Sequence, residues 1–166
     1  MTHENTFFYG DENAFSIHPE GGKVARLPIY ICSFNGFEDI LLQTEAEEVE
    51  QGYIATVKEP SFAWNAGPCT IVMTADKRNT LHLIHSDGER GYKPEMIEAI
   101  AHAVTGVVGS GEINSLEAFK SLFPNAPLRP FYPPRIKNPV FNACIVPKKK
   151  GAIKSGVYVA FDSIEV

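Results

Sequence analysis

Residues 61–87, SFAWNAGPCTIVMTADKRNTLHLIHSD, decide how this chain folds. Within this stretch, residues 70–74 are β-branched and apolar, and residues 80–85 alternate Leu-His-Leu with Ile-His. The polar residues 75–79 separate the two segments and have the composition of a turn. Two short strands joined by a polar turn predict a β-hairpin.

Cys69 and His85 lie at the two open ends of this hairpin. Residues 65–68, Asn-Ala-Gly-Pro, are typical of a tight turn and lead directly into Cys69. His85 closes the return strand. The sequence therefore predicts a thiol and an imidazole at the same end of one hairpin.

The register of the hairpin follows from its apolar side chains. Directly opposed residues share a face of an antiparallel pair, so a turn with an odd number of residues gathers the apolar side chains on one face. Those side chains are Ile71, Met73, Leu81 and Leu83. A turn over 75–79 places Cys69 opposite His85, with Cβ atoms roughly 4.5–5.5 Å apart, and a turn over 77–79 makes them diagonal neighbours at about 7–8 Å. Either spacing lets thiol and imidazole meet, and His82 falls on the opposite face.

A thiol beside an imidazole has a defined chemistry. A cysteine with the ordinary pKa of ~8.5 is mostly protonated at neutral pH, and a neighbouring imidazole can take the proton to leave a thiolate nucleophile. Backbone N–H groups around the Gly-Pro-Cys turn, including that of Cys69, would face a developing oxyanion. The alternative is that Cys69 packs in the core, because free cysteine is among the most buried residue types.

Length and composition are those of an ordinary globular protein. The 166 residues are 44% hydrophobic and 21% charged, which predicts a single domain over residues 1–166. No apolar run approaches the length of a membrane span, so no membrane partner is expected. The N-terminus lacks the basic and apolar regions of a secretory signal.

The cysteines and histidines predict no metal site. Three separated cysteines without a CxxC pair form neither a disulfide framework nor a zinc site. His82 and His85 point to opposite faces of one strand, which makes them a poor metal pair. Free thiols indicate a reducing compartment, either the cytoplasm or a host cytosol that a dedicated secretion system reaches.

The net charge of −5 is unevenly distributed. Residues 38–50 contain six acidic and no basic residues, whereas residues 118–161 contain basic residues and no acidic one. The basic half indicates either a docking surface for an acidic partner or solvated loops. Nucleic acid is not expected, because the protein is acidic and has no aromatic–basic RNA motif or helix-turn-helix pattern.

Outside the hairpin, the chain predicts further helices and strands. Helices are expected over 37–50, from Pro94 to the glycines at 106 and 109, and over 115–123; strands are expected over 29–34, 52–58, 140–146 and 156–163. Asn114 and Glu117 have the spacing of a capping box. The proline-rich residues 124–139 predict a stiff extended connection that either wraps the core or binds a partner.

Gly67-Pro68-Cys69-Thr70, followed by a hairpin that ends in Leu81-His82-Leu83-Ile84-His85, resembles a known catalytic arrangement. It is similar to that of the Cys–His protein glutamine deamidases, which include the catalytic domain of cytotoxic necrotizing factors, related bacterial lethal factors and the chemoreceptor deamidase CheD. The resemblance covers residues 63–87 only. It implies that Cys69 is the nucleophile and His85 the base. It also implies an α+β fold with a mixed β-sandwich of about six to eight strands, flanked by two or three helices.

Two departures from the family pattern bear on this site. Pro68 stands directly before the cysteine, where a small residue is usual, and residues 61–65 hold no threonine of the kind that orients the histidine in some members. Ser61 and Asn65 are the nearest side chains that would orient the imidazole. A main-chain carbonyl does this in other members, so the third group stays open.

The resemblance implies an enzyme of the class that includes bacterial toxins and effectors. Such an enzyme hydrolyses the side-chain amide of a glutamine on a partner protein, without a metal or organic cofactor. A cysteine peptidase or amidase is an alternative, although those often place the cysteine at a helix N-terminus. A non-enzymatic immunity or adaptor protein is another, with residues 38–50 or 124–139 as its interface. The sequence specifies neither the substrate protein nor the oligomeric state.

Overall fold

A computed structural model describes residues 9–11, 16–17, 25–26, 28–88 and 90–164 of the chain. The described residues form three helices, which are α1 Phe34–Thr44, α2 Pro94–Ala101 and α3 Ile113–Leu122. Their strands, in chain order, are β1 Tyr9–Asp11, β2 Ser16–Ile17, β3 Ala25–Arg26, β4 Ile29–Ile31, β5 Glu47–Glu48, β6 Tyr53–Thr56, β7 Ser61–Ala66, β8 Ile71–Ala75, β9 Leu81–His85, β10 Thr105–Gly109, β11 Leu128–Phe131, β12 Pro139–Val146 and β13 Gly156–Ser163. No helix in this part of the chain is long and apolar enough to cross a membrane.

Most of these strands build two mixed sheets. The larger sheet has the order β1-β4-β13-β12-β7-β5, and the smaller has the order β11-β10-β8-β9-β6. In the larger sheet β4 runs parallel to β13 and β5 runs parallel to β7. In the smaller sheet β10 and β11 are parallel, whereas the other neighbours are antiparallel.

The two sheets pack face to face, and helices cover both outer faces. Buried residues of β7, β12 and β13 share one core with buried residues of β8, β9 and β10. Phe37 and Ile40 of α1 cover the outer face of the larger sheet. Met96 of α2 and Phe119 of α3 cover the outer face of the smaller sheet. The predicted α+β sandwich with flanking helices is confirmed, and it has more strands than the six to eight expected, because short edge strands carry little periodic signal.

The predicted hairpin is formed by β8 and β9. Ile71 pairs with His85 and Ala75 with Leu81, and the N–H of Asp76 donates to the carbonyl of Thr80 at 3.2 Å, so the turn spans residues 77–79. Asn79 closes the turn in a left-handed conformation, with φ of 67°. A three-residue turn that ends in a left-handed residue is a common hairpin connection. The odd turn is therefore confirmed, and of the two predicted registers the structure has the diagonal one.

The prediction of one helix over residues 37–50 is wrong. The helix α1 begins earlier, where the Ser33 side chain accepts a hydrogen bond from the N–H of Gly36 at 3.1 Å. It ends at Thr44, because Glu45 adopts a left-handed conformation with φ of 51°. The chain then pairs with β7, and the N–H of Val49 donates to the carbonyl of Phe62 at 2.7 Å. Val49 therefore lies beside the larger sheet and not on a helix.

The strand β10 lies where the sequence predicted the end of a helix. Its glycines at 106 and 109 are required by packing: a Cβ atom on Gly106 would overlap the carbonyl oxygen of Met73, and one on Gly109 would overlap the ring of Phe141. The predicted capping box is also wrong, because α3 begins at Ile113 and Asn114 is therefore inside the helix.

Residues 67–70 carry the chain from one sheet to the other. They follow β7 of the larger sheet and precede β8 of the smaller sheet. This crossing segment contains Cys69 and lies at the seam between the sheets. Cys69 therefore packs in the core that residues of both sheets share.

Candidate active site

The structure brings Cys69 and His85 into contact. The Sγ atom of Cys69 lies 3.2 Å from Nε2 of His85. Cys69 belongs to the crossing segment, and His85 is the last residue of β9. Both side chains are buried, with 4% and 5% of their surface exposed. The contact is that of a thiol with a base positioned to accept its proton.

The second ring nitrogen of His85 faces a main-chain carbonyl. The Nδ1 atom lies 3.4 Å from the carbonyl oxygen of Val49, and Val49 is hydrogen-bonded to β7 of the larger sheet. When Nδ1 carries the proton and donates it to this carbonyl, Nε2 presents its lone pair to the thiol. The N–H of Gly52 also donates to the carbonyl of His85 at 2.7 Å. The Val49 carbonyl therefore favours the tautomer that a base requires, and the Gly52 N–H anchors the backbone of the histidine.

Neither Ser61 nor Asn65 reaches the imidazole. The Ser61 hydroxyl donates to the carbonyl of Glu59 at 2.9 Å. Asn65 has an exposed side chain and a left-handed backbone with φ of 60°, and its N–H donates to the Asn142 side chain at 2.8 Å. These two residues shape the start and the end of β7. The group that faces Nδ1 is the Val49 carbonyl, which no side-chain pattern in the sequence could indicate.

Burial makes both members of the pair neutral. Burial raises the pKa of the Cys69 thiol to about 11, its own N–H opposes the shift, and the carboxylates of Asp87 and Glu112 raise it further. Burial also lowers the pKa of His85, and the Val49 carbonyl opposes that shift. At neutral pH the site therefore holds a thiol and a neutral imidazole. The thiolate that the sequence suggested forms only when a reaction draws the proton to His85.

Ser110 holds the crossing segment from one side. Its buried hydroxyl lies 3.0 Å from the carbonyl oxygen of Gly67 and 2.8 Å from that of Cys69. It also accepts a hydrogen bond from the N–H of Glu112 at 3.1 Å. The Ser115 hydroxyl donates to a third carbonyl of the segment, that of Pro68. Sequence analysis did not identify these serines, because it did not predict the strand that Ser110 follows.

A second hydrogen-bond network fixes Thr70, the residue after Cys69. The N–H of Thr70 donates to the Ser86 hydroxyl at 2.8 Å, and the N–H of Ser86 donates to the Thr70 carbonyl at 2.9 Å. The hydroxyl of Tyr92 lies 2.7 Å from that of Thr70. The loop after β9 is thereby joined to the crossing segment. The separation between Cys69 and His85 is held by these bonds as well as by the hairpin.

The N–H of Cys69 is the remaining polar group of the crossing segment. Its interaction with its own thiol opposes the rise in the thiol's pKa, and no carbonyl in the described part of the chain accepts a hydrogen bond from it. Gly88 lies beside it: a Cβ atom on Gly88 would be 3.5 Å from the Cys69 nitrogen. If Sγ attacked a substrate carbonyl, the N–H of Cys69 could donate a hydrogen bond to the oxyanion that forms.

His82 lies away from the pair, as the register predicts. It lines a groove of about 360 Å³ between the smaller sheet and α2, together with Asp76, Glu98 and His102. Among the described residues, no three His, Cys, Asp or Glu side chains lie close enough together to hold a metal ion.

Comparison with known proteins adds no assignment. No protein-family model matches the chain, and no match is found among curated proteins. The description of the site therefore depends on its geometry and on the short resemblance around Cys69.

Proposed function

We propose that the protein is a cysteine-dependent protein glutamine deamidase in which Cys69 is the nucleophile and His85 the base. The observation that carries the proposal is the line of contacts from Sγ to Nε2 at 3.2 Å and from Nδ1 to the Val49 carbonyl at 3.4 Å. This line supplies a nucleophile, a base and a group that orients the base.

The reaction proceeds by acyl transfer to the thiol. His85 Nε2 takes the Cys69 proton as Sγ attacks the carboxamide carbon of a glutamine side chain, and the oxygen that becomes negative is stabilised by the N–H of Cys69. The imidazolium gives its proton to the departing amine, so that the C–N bond breaks and ammonia leaves. A water molecule, deprotonated by His85, then hydrolyses the thioester to glutamate and regenerates the thiol. Water is the second reactant, and the groups that move protons and stabilise charge in these steps are Cys69, His85 and the N–H of Cys69.

The depth of the thiol favours a side-chain amide over a peptide bond. Cys69 is only 4% exposed, so a substrate must reach inward past the crossing segment to meet the thiol. A glutamine carboxamide at the end of a flexible, unbranched side chain can do so. A peptide bond would bring the bulk of two backbone segments with it, which favours a deamidase over a peptidase.

The proposal is tested by mass spectrometry of a cell extract incubated with the protein. Wild type is expected to convert glutamine to glutamate at a few defined positions and to release ammonia. C69S and H85Q should reduce this conversion by about a thousandfold or more, because the pair acts as a unit. L42A, which changes an exposed side chain of α1, is the matched control and should retain full activity. Folded wild type that converts no glutamine would overturn the proposal.

A second candidate is a non-enzymatic binding protein. The burial of Cys69 and its raised pKa of about 11 are also what a core thiol would show. In that case C69S and wild type should capture the same partner with equal affinity and neither should change it chemically. A deamidase would leave a modified glutamine on the partner after exposure to wild type alone.

A further inference from the structure

Two adjoining depressions form a trough that begins beside the crossing segment. The first is about 380 Å³ in volume and is lined by Gly67, Val140 and Ile164, among others. The second is about 330 Å³ and is lined by Pro133, Pro134 and Arg135, among others. Gly111, Glu112 and Pro139 line both, so the two are continuous. The trough thus runs from two residues before Cys69 to the proline-rich segment.

The lining of the trough combines apolar prolines with polar and charged side chains, and its floor is rigid. The prolines at 133, 134 and 139 offer no N–H donors and restrict the backbone. A Cβ atom on Gly111 would overlap the carbonyl oxygen of Pro139, so the floor has no room to collapse inward. The second depression is also lined by an exposed apolar side chain, that of Ile113, which is 54% exposed.

The charges of the trough differ between its two ends. Glu112 lies in the shared middle, and its carboxylate is close enough to the thiol to raise the pKa of Cys69. Arg135 lines the far end, within the part of the sequence, 118–161, that contains no acidic residue. An acidic group is therefore favoured at the far end and disfavoured near the thiol.

We infer that this trough binds the segment of the substrate protein that adjoins the target glutamine, and that it selects an extended segment with apolar residues and a distal acidic residue. The inference rests on the proposed deamidase function, because it places the glutamine over Cys69 and the adjoining chain along Gly67, Pro139 and Pro133. Apolar side chains of the segment pack against the prolines and Ile113, and its acidic group pairs with Arg135.

The inference is tested with fluorescein-labelled peptides that contain one glutamine followed by leucines and a distal aspartate. A matched peptide has lysine in place of the aspartate. Peptide binding is measured by fluorescence anisotropy on C69A, and ammonia release is measured with wild-type Cys69. The trough variants I113E and R135E are compared with I97E, which changes another exposed isoleucine, on α2, and with K148E, which reverses a charge in the loop between β12 and β13.

The trough variants are expected to weaken binding and turnover of the aspartate peptide about tenfold, which corresponds to roughly 1.4 kcal/mol. The two control variants should match the parent protein. If turnover is unchanged in I113E and R135E, the trough is not the binding site for the substrate segment, and the proposed deamidase function still stands. Trough-dependent binding without ammonia release would support the trough as a peptide site and contradict the deamidase. Absence of binding, or equal binding of both peptides, would overturn the trough.

Discussion

At the scale of single residues, the surroundings of Cys69 determine how its chemistry begins. The thiol has lost most of its contact with water, so its pKa rises to about 11, and the pKa of its partner His85 falls. A charged pair would be costly in such a site. In the deamidase that we propose, the thiol would therefore stay protonated until a substrate supplies an electrophilic carbon and an oxygen to stabilise.

Alkylation should reveal this neutral state. We expect iodoacetamide to modify Cys69 faster than Cys32 and Cys144, because burial raises the pKa of Cys32 to about 12 and that of Cys144 further. The rate at Cys69 should increase with pH well beyond ~8.5, the ordinary thiol value. H85Q should slow the reaction at neutral pH by removing the base. A rate at Cys69 that reaches its plateau below pH 8 would contradict the neutral pair.

Ser110 should support the crossing segment more strongly than Ser115. S110A removes a buried hydroxyl from two carbonyl groups and from the N–H of Glu112, so we expect a loss of about 1–3 kcal/mol in unfolding free energy. S115A removes one bond at a half-buried position and should cost less than about 1 kcal/mol. Urea denaturation measures both. Equal losses of unfolding free energy in S110A and S115A would contradict the stronger role of Ser110.

At the scale of elements, strands that carry a side-chain pattern could be predicted and strands shaped by close packing could not. The hairpin of β8 and β9 could be predicted from its apolar stripe and polar turn. The same pattern limited its register to two possibilities, which differ in the length of the turn. The strand β10 was missed because its glycines suggest a break, whereas they are there to admit Met73 and Phe141. The Val49 carbonyl has no side-chain signature, so the third group of the site could not be identified.

Gly106, which packs against β8, and Gly67, which has space beside it, should respond differently to substitution. G106A forces a methyl group against the Met73 carbonyl, and we expect a loss of about 1–3 kcal/mol in unfolding free energy from overpacking. In G67A the new methyl would meet only Val140, at 3.9 Å, so the change should stay within about 0.5 kcal/mol. Urea denaturation compares them. A tolerated G106A would mean that β10 can move away from β8.

At the scale of the whole molecule, one buried and one half-buried histidine make stability depend on pH. Burial lowers the pKa of both His82 and His85. The unfolded chain therefore binds protons at a higher pH than the folded protein does, so stability is complete above the unfolded value of about 6.5 and is lost as the pH falls below it. The three buried thiols affect stability at alkaline pH instead. Burial raises their pKa values, so the unfolded chain loses these protons at a lower pH than the folded protein does, and stability falls as the pH rises.

Thermal unfolding at several pH values should show the histidine contribution. We expect the melting temperature of wild type to fall between pH 7 and pH 5, and to fall less in H85Q, which cannot be protonated in this range. H102Q changes an exposed histidine at the end of α2 and should follow wild type. An H85Q curve parallel to that of wild type would indicate that the imidazole remains accessible to protons in the fold.

The position of β13 in the larger sheet determines when the fold can be completed during synthesis. This strand lies inside the larger sheet, where it pairs with β12 on one side and runs parallel to β4 on the other. Val157 must therefore reach Ile29, a partner more than a hundred residues earlier in the sequence. The hairpin of β8 and β9 can close within microseconds of leaving the ribosome. The larger sheet, which supports the Val49 carbonyl behind His85, must wait until β13 has been synthesised, so the nascent chain carries its thiol and imidazole long before they share a finished site.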